Sequence, residues 1–130
     1  MNPVILIADR NPHVREFLKR EIMVDGYQIC LAKNCREVLK AVSHEKPIRL
    51  IIIDPDIPGA DDFLILKMVK NRIPELPIII HSHFTEYETY VKGLHRMVFV
   101  EKKGNSIEDL KTVIHQMLQP PIESIGFYHQ

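Results

Sequence analysis

Four residues of chemically capable types stand just past the ends of apolar runs: Asp9, Asp54, Ser82 and Lys102. A carboxylate can act as a nucleophile, and a nearby ammonium can hold the oxygens of the group it attacks. The strongest signal is Leu50-Ile51-Ile52-Ile53-Asp54-Pro55-Asp56-Ile57-Pro58-Gly59. Its apolar run is rich in β-branched residues and too short for a helix, as in a strand buried on both faces. Pro55, Pro58 and Gly59 then force a loop, so Asp54 stands where a central strand leaves the core. In open α/β sheets, that carboxyl-end crevice is where ligands bind.

The chain alternates strand-like and helix-like segments. Val4-Ile5-Leu6-Ile7-Ala8 is a second buried run, and Asn11-Pro12 reads as an N-cap followed by proline at the first helical position. Val14, Phe17, Leu18 and Ile22 give the next helix one apolar face, and Asp25-Gly26 ends it. Tyr27, Ile29 and Leu31 alternate with polar neighbours, as on an edge strand. Asn34 can cap a short helix carrying Cys35, Val38, Leu39 and Val42. After the central strand, Asp61 or Asp62 can cap a helix with Phe63, Leu66, Met68 and Val69. Ile78-Ile79-Ile80 is a third buried run. Thr85 opens a weaker helix, Met97–Val100 is the last strand, and Ser106 with Asp109 matches a weak N-terminal capping pattern before the final amphipathic helix. Five strands alternating with five helices predict a parallel sheet with right-handed crossovers and helices on both faces. Strands running the same way bring Asp9, Asp54, Ser82 and Lys102 to one edge.

Composition narrows the field. The 130 residues suggest one domain, residues 1–118, with 119–130, from Gln119-Pro120-Pro121 onward, as a tail or linker stub. Lys plus Arg equals Asp plus Glu at 17 each, so no basic excess points to direct nucleic-acid binding. No apolar run approaches a membrane span, and Met1 leading directly into a strand-like run predicts no secretory signal. Two cysteines give no disulfide framework, which predicts reduced thiols and a cytoplasmic location. His81 and His83 alternate at a strand end but lack a third ligand at convincing spacing, so they read as ordinary neighbours of the site.

Together, Ile5-Leu6-Ile7-Ala8-Asp9, Asp54-x-x-x-Pro58-Gly59, Pro77-Ile78-Ile79-Ile80-His81-Ser82 and Phe99-Val100-Glu101-Lys102 resemble the receiver domain of two-component response regulators over residues 3–118. The resemblance implies a flavodoxin-like (βα)5 fold of strand order 2-1-3-4-5. It implies that Asp54 accepts a phosphoryl group from a sensor histidine kinase, a phosphotransfer protein or a small acyl phosphate. Lys102 and Ser82 would contact the phosphoryl oxygens, and Phe99 would follow the change as a switch aromatic. Mg2+ would be held by Asp9, Asp54 and the Asp56 backbone carbonyl. Signals would leave through the fourth helix, fifth strand and fifth helix, toward an output domain or a second copy.

The pattern departs from the family twice. Arg10 stands where the family has a second acid that ligates the metal directly, and a guanidinium is a permanent cation that cannot ligate. Either a weakened Mg2+ site remains, or Arg10 pairs with Asp54 or Asp56 and replaces the metal. The second case would make a phosphorylation-independent pseudo-receiver, an interaction or dimerisation module of fixed state. Lys103 stands where the family has proline, which predicts a trans Lys102–Lys103 bond and a reshaped loop. Two other classes are weaker. Asp54-Pro55-Asp56 resembles the acid pair of haloacid-dehalogenase-type phosphatases, but it follows the third strand rather than the first. A flavodoxin-like redox protein would share only the fold.

Overall fold

The computed structural model describes residues 3–45, 47–59, 61–71 and 75–118. The expected tail at 119–130 lies outside them. Strands β1 (Val4–Ala8), β2 (Gln28–Ala32), β3 (Ile48–Ile53), β4 (Ile78–Ser82) and β5 (Met97–Glu101) form one sheet in the order β2-β1-β3-β4-β5. Every pairing is parallel, with Ala8 beside Ala32 and Ile53, and Ser82 beside Glu101. This is the expected topology, with β3 in the middle.

Alternation along the strands feeds two separate cores. Leu6, Ala8, Ile51, Ile53, Ile78 and Ile80 face one side of the sheet, where Val38, Ile65, Leu66, Val69 and Tyr87 cover them. Those residues come from α2 (Cys35–Lys40), α3 (Asp62–Lys70) and α4 (Glu86–Tyr90). Ile5, Ile7, Leu50, Ile52 and Ile79 face the other side, covered by Leu18 and Ile22 of α1 (Pro12–Met23) and Leu110 and Ile114 of α5 (Ser106–Leu118). A strand buried on both faces must be apolar throughout, and this explains the unbroken isoleucine runs.

The helix starts follow local chemistry, with instructive exceptions. Asn11 Oδ1 accepts from the His13 amide, Asn34 Oδ1 from the Glu37 amide, and Asp61 Oδ1 from the Leu64 amide. Thr85, by contrast, makes no side-chain cap. Ser106 does not cap α5 from outside but is its first residue, and its hydroxyl lies against His81 instead. The helix after Asn34 also changes pitch, continuing from α2 as a π-helical turn at Ala41–Glu45. In α3 the inward residues are Ile65, Leu66 and Val69, whereas Phe63 and Met68 are exposed. The sequence reading assigned Phe63 and Met68 to the apolar face and overlooked Ile65, because nearly every residue of that helix is apolar and the 3.6-residue period is blurred.

The loop that carries Asp54 out of β3 is clamped to α2. The Pro58 carbonyl accepts from the Cys35 amide at 2.8 Å. Gly59 has φ +115°, and a Cβ there would lie 2.9 Å from the Cys35 Cβ. Both the backbone conformation and the close approach therefore call for glycine. Gly59→Ala is expected to lower stability by about 1–3 kcal/mol, measured by urea unfolding.

Candidate functional site

Each site residue is delivered by the end of a strand. The Asp54 amide donates to the Ala8 carbonyl at 2.9 Å, the Asp9 amide to the Ala32 carbonyl at 3.1 Å, and the Lys102 amide to the Ser82 carbonyl at 2.9 Å. The sheet ladder thus runs one residue past β1, β3 and β5 and fixes where the three side chains begin. Asp9 is only 2% exposed and Asp54 only 8%. Burial of two carboxylates so close together requires a cation. Lys102 supplies it, with Nζ 2.7 Å from Asp9 Oδ2 and 2.6 Å from Asp54 Oδ2.

The other carboxylate oxygens are also held. Asp9 Oδ1 accepts from the Asn11 amide at 2.9 Å, and Asp54 Oδ1 from the Asp56 amide at 3.0 Å. Burial by itself would pull the Lys102 ammonium down. Its hydrogen bonds to Asp54 and Asp9, and their charges, outweigh that and hold it above the ordinary lysine value. Lys102 is therefore charged throughout the neutral range.

Ser82 is buried at the same edge, and its Oγ accepts from the Phe84 amide at 3.1 Å. Its hydroxyl proton remains available for donation. Phe84 is itself half-exposed at the mouth. Phe99 lies on β5, half-buried against the core on the α2–α4 side. Arg10 does not enter the buried cluster. Its Nη1 lies 3.6 Å from Asp56 Oδ2, with both side chains more than half exposed. Of the two pairings open to Arg10 in the sequence, the one with Asp56 is formed, and Asp54 keeps Lys102 as its cationic partner.

Two contacts escaped the sequence reading. Arg15 Nη1 donates to the Asp9 carbonyl at 2.7 Å, tying the end of β1 to the first turns of α1. A long cation one turn into a helix points back over the helix start, and that is the signal that could have found it. The second contact is His81. It shares the α1–α5 side of the sheet with Ile79, is 4% exposed, and lies with Nε2 3.1 Å from Ser106 Oγ. Its Nδ1 has no hydrogen-bond partner among the described residues. A histidine in phase with a buried strand face needs a polar partner on the covering helix, and Ser106 is that partner.

The donor set bears on a metal. Asp9 and Asp54 converge on a single cation, as two ligands of a hard dication must. Mg2+ is commonly held by one or two carboxylates and completes its shell with water and phosphate oxygens. These residues fit such an ion. Among the described residues, however, no group of three or more His, Cys, Asp or Glu side chains is placed to hold a metal. The nearby Asp56 carboxylate faces a guanidinium instead.

The response regulator receiver domain family model matches residues 5–115. The chain belongs to that family: it is a receiver domain of two-component response regulators. An NtrX-like response regulator of Rickettsia felis is 30% identical over 106 residues, covering 78% of this chain and 22% of that protein. The DNA-binding transcriptional regulator NtrC of Escherichia coli is 27% identical over 96 residues, covering 74% of this chain and 20% of NtrC. The chain thus spans about a fifth of the length of these curated relatives. Among solved structures, the response regulator TrrA of Thermotoga maritima, in complex with Mg2+ and BeF, superposes with a TM-score of 0.79. It is 27% identical and covers 89% of this chain and 99% of TrrA. No helix among the described residues is long and apolar enough to cross a membrane.

His81 gives a pH test. Burial, then the Lys102 charge, lowers its pKa from 6.5 to about 4. The unfolded chain binds this proton more readily, so the stability conferred by neutral His81 is present above pH 6.5 and is lost as pH falls toward 4. The loss should reach about 3 kcal/mol. Urea unfolding of the wild type and of His81→Gln across this range should show a shallower acid-side slope in the variant.

Proposed function

We propose that Asp54 is the phosphoacceptor of this receiver domain and that Lys102, Ser82 and Phe99 convert its phosphorylation into a change of surface. The observation that carries this reading is the Lys102 ammonium, 2.6 Å from Asp54 Oδ2 although proline does not follow the lysine. An ionised Asp54 oxygen attacks phosphorus. The bond from phosphorus to the donor, a phosphohistidine nitrogen or an acyl oxygen, breaks, and its electron pair leaves with the donor. The new mixed anhydride removes the carboxylate charge from Asp54 and places about two negative charges on the phosphoryl oxygens.

That redistribution drives the rest. Lys102 turns from the now uncharged acyl oxygen of Asp54 toward a phosphoryl oxygen while keeping Asp9. The Ser82 hydroxyl donates to another phosphoryl oxygen, which draws the end of β4 inward, and Phe99 fills the space that opens. Asp9, Asp54 and the Asp56 backbone carbonyl are the residues that would hold Mg2+. When bound, the ion neutralises charge on the transferring group. The Arg10–Asp56 pairing is one expected of a module of fixed state, but it is long and exposed and leaves Asp54 to Lys102, which favours a working acceptor.

The partners follow from the same reading. A sensor histidine kinase or phosphotransfer protein donates the phosphoryl group. An open groove of about 420 Å3, lined in part by Val14, Phe17, Ile107 and Lys103, flanks Lys102 and offers an apolar approach to the site. The face of α4, β5 and α5 carries the change outward, to an output domain or a second copy. Phe99 lines a shallow groove there with Glu88 and Val113.

Incubation with a small acyl phosphate should add one phosphoryl group, read by intact-mass spectrometry. Asp54→Asn should abolish the adduct, and Lys102→Ala should slow its formation by about a hundredfold. An adduct that persists in Asp54→Asn would sink the assignment.

A further inference from the structure

Arg10 adds a permanent cation to the loops around Asp54. Its backbone follows Asp9, whose carboxylate is pinned by Lys102 at 2.7 Å and by the Asn11 amide at 2.9 Å. Its partner Asp56 is anchored to the acceptor, because the Asp56 amide donates to Asp54 Oδ1 at 3.0 Å. The guanidinium is therefore held against the side chain two residues past Asp54. Its hold there is weak: the contact is 3.6 Å, with side-chain exposures of 60% and 51%. Exposed pairs of this kind are screened and easily exchanged.

A phosphoryl group on Asp54 is a better partner than the Asp56 carboxylate. It carries about two negative charges and three acceptor oxygens, which the planar guanidinium fork can engage two at a time. Lys102 reaches the group from the buried side and Arg10 from the mouth. The same guanidinium opposes a dication. Asp9, Asp54 and Asp56 contribute three negative charges, and Lys102 and Arg10 return two of them. A site of net charge near −1 attracts Mg2+ far less than one with an acid in place of Arg10.

We infer that Arg10 binds the phosphoryl oxygens on Asp54 as a built-in cation, supplying at the mouth charge that a divalent ion would otherwise bring and making phosphorylation only weakly dependent on metal. This rests on Asp54 being the acceptor. The bonds exchanged are those given above; Arg10 forms no covalent bond and transfers no proton.

The test follows adduct formation with a small acyl phosphate, in Mg2+ and in EDTA, for wild type, Arg10→Ala and Arg10→Asp. Mg2+ binding to each is titrated separately by calorimetry. Wild type should react in EDTA within about tenfold of its rate in Mg2+. Arg10→Ala should lose about tenfold or more in EDTA. Arg10→Asp should react only with Mg2+ and bind the ion at least about tenfold more tightly than wild type. A wild-type adduct confined to Mg2+, an Arg10→Ala rate in EDTA equal to that of wild type, or equal Mg2+ affinities in Arg10→Asp and wild type would each overturn the inference while leaving Asp54 as acceptor. No adduct in any variant under either condition would overturn both.

Discussion

The structure depends on one ammonium between two buried carboxylates. Asp9 and Asp54 end neighbouring strands, and the parallel register leaves them no room to avoid each other. Without Lys102 two buried like charges would face each other with no side-chain cation between them. With it the cluster is compact, ionised and still one negative charge in excess. It holds its own carboxylates together while remaining poised for further positive charge. The fold is the device that makes this arrangement. The β1–β3 and β4–β5 ladders fix the backbone, α1 is tied to Asp9 by Arg15, and the Pro58–Gly59 loop is tied to α2.

Much of this was legible in the sequence, for a specific reason. Short apolar runs ended by Asp, Ser or Lys leave few alternatives to buried strands that open onto a polar edge. Four such endings also fix the edge itself. The caps at Asn11, Asn34 and Asp61 were readable because their chemistry is local. Failures came where the deciding contact is distant. Nothing within a few residues of Ser106 shows that its hydroxyl will meet a histidine on β4 rather than cap a helix. Likewise, the inward face of α3 is chosen by what β3 and β4 present to it. A helix reading Phe-Leu-Ile-Leu-Lys-Met-Val has no polar side from which to read its orientation.

Arg10 marks a different boundary of legibility. Its type was visible and its charge beyond doubt, but an arginine has the reach to lie in the pocket or on its rim. Only the geometry assigns it to Asp56, outside the buried trio. That small displacement matters because the Coulombic worth of a contact depends steeply on burial. The same guanidinium inserted between Asp9 and Asp54 would lock the pocket, whereas at the rim it is held lightly.

Helix α4 has only five residues and no side-chain cap, too little to persist on backbone hydrogen bonds alone. Its order is borrowed from an aromatic trio: Phe63 of α3 stacks 5.7 Å from Tyr87 and 5.1 Å from Tyr90, which meet each other edge-on. The chain contains no tryptophan and four tyrosines, and half of those tyrosines sit in this trio. Half of the tyrosine fluorophores thereby report on the segment least able to hold itself in place. The chain carries an intrinsic optical gauge of α4, and a loosening of that helix can be followed without any attached dye.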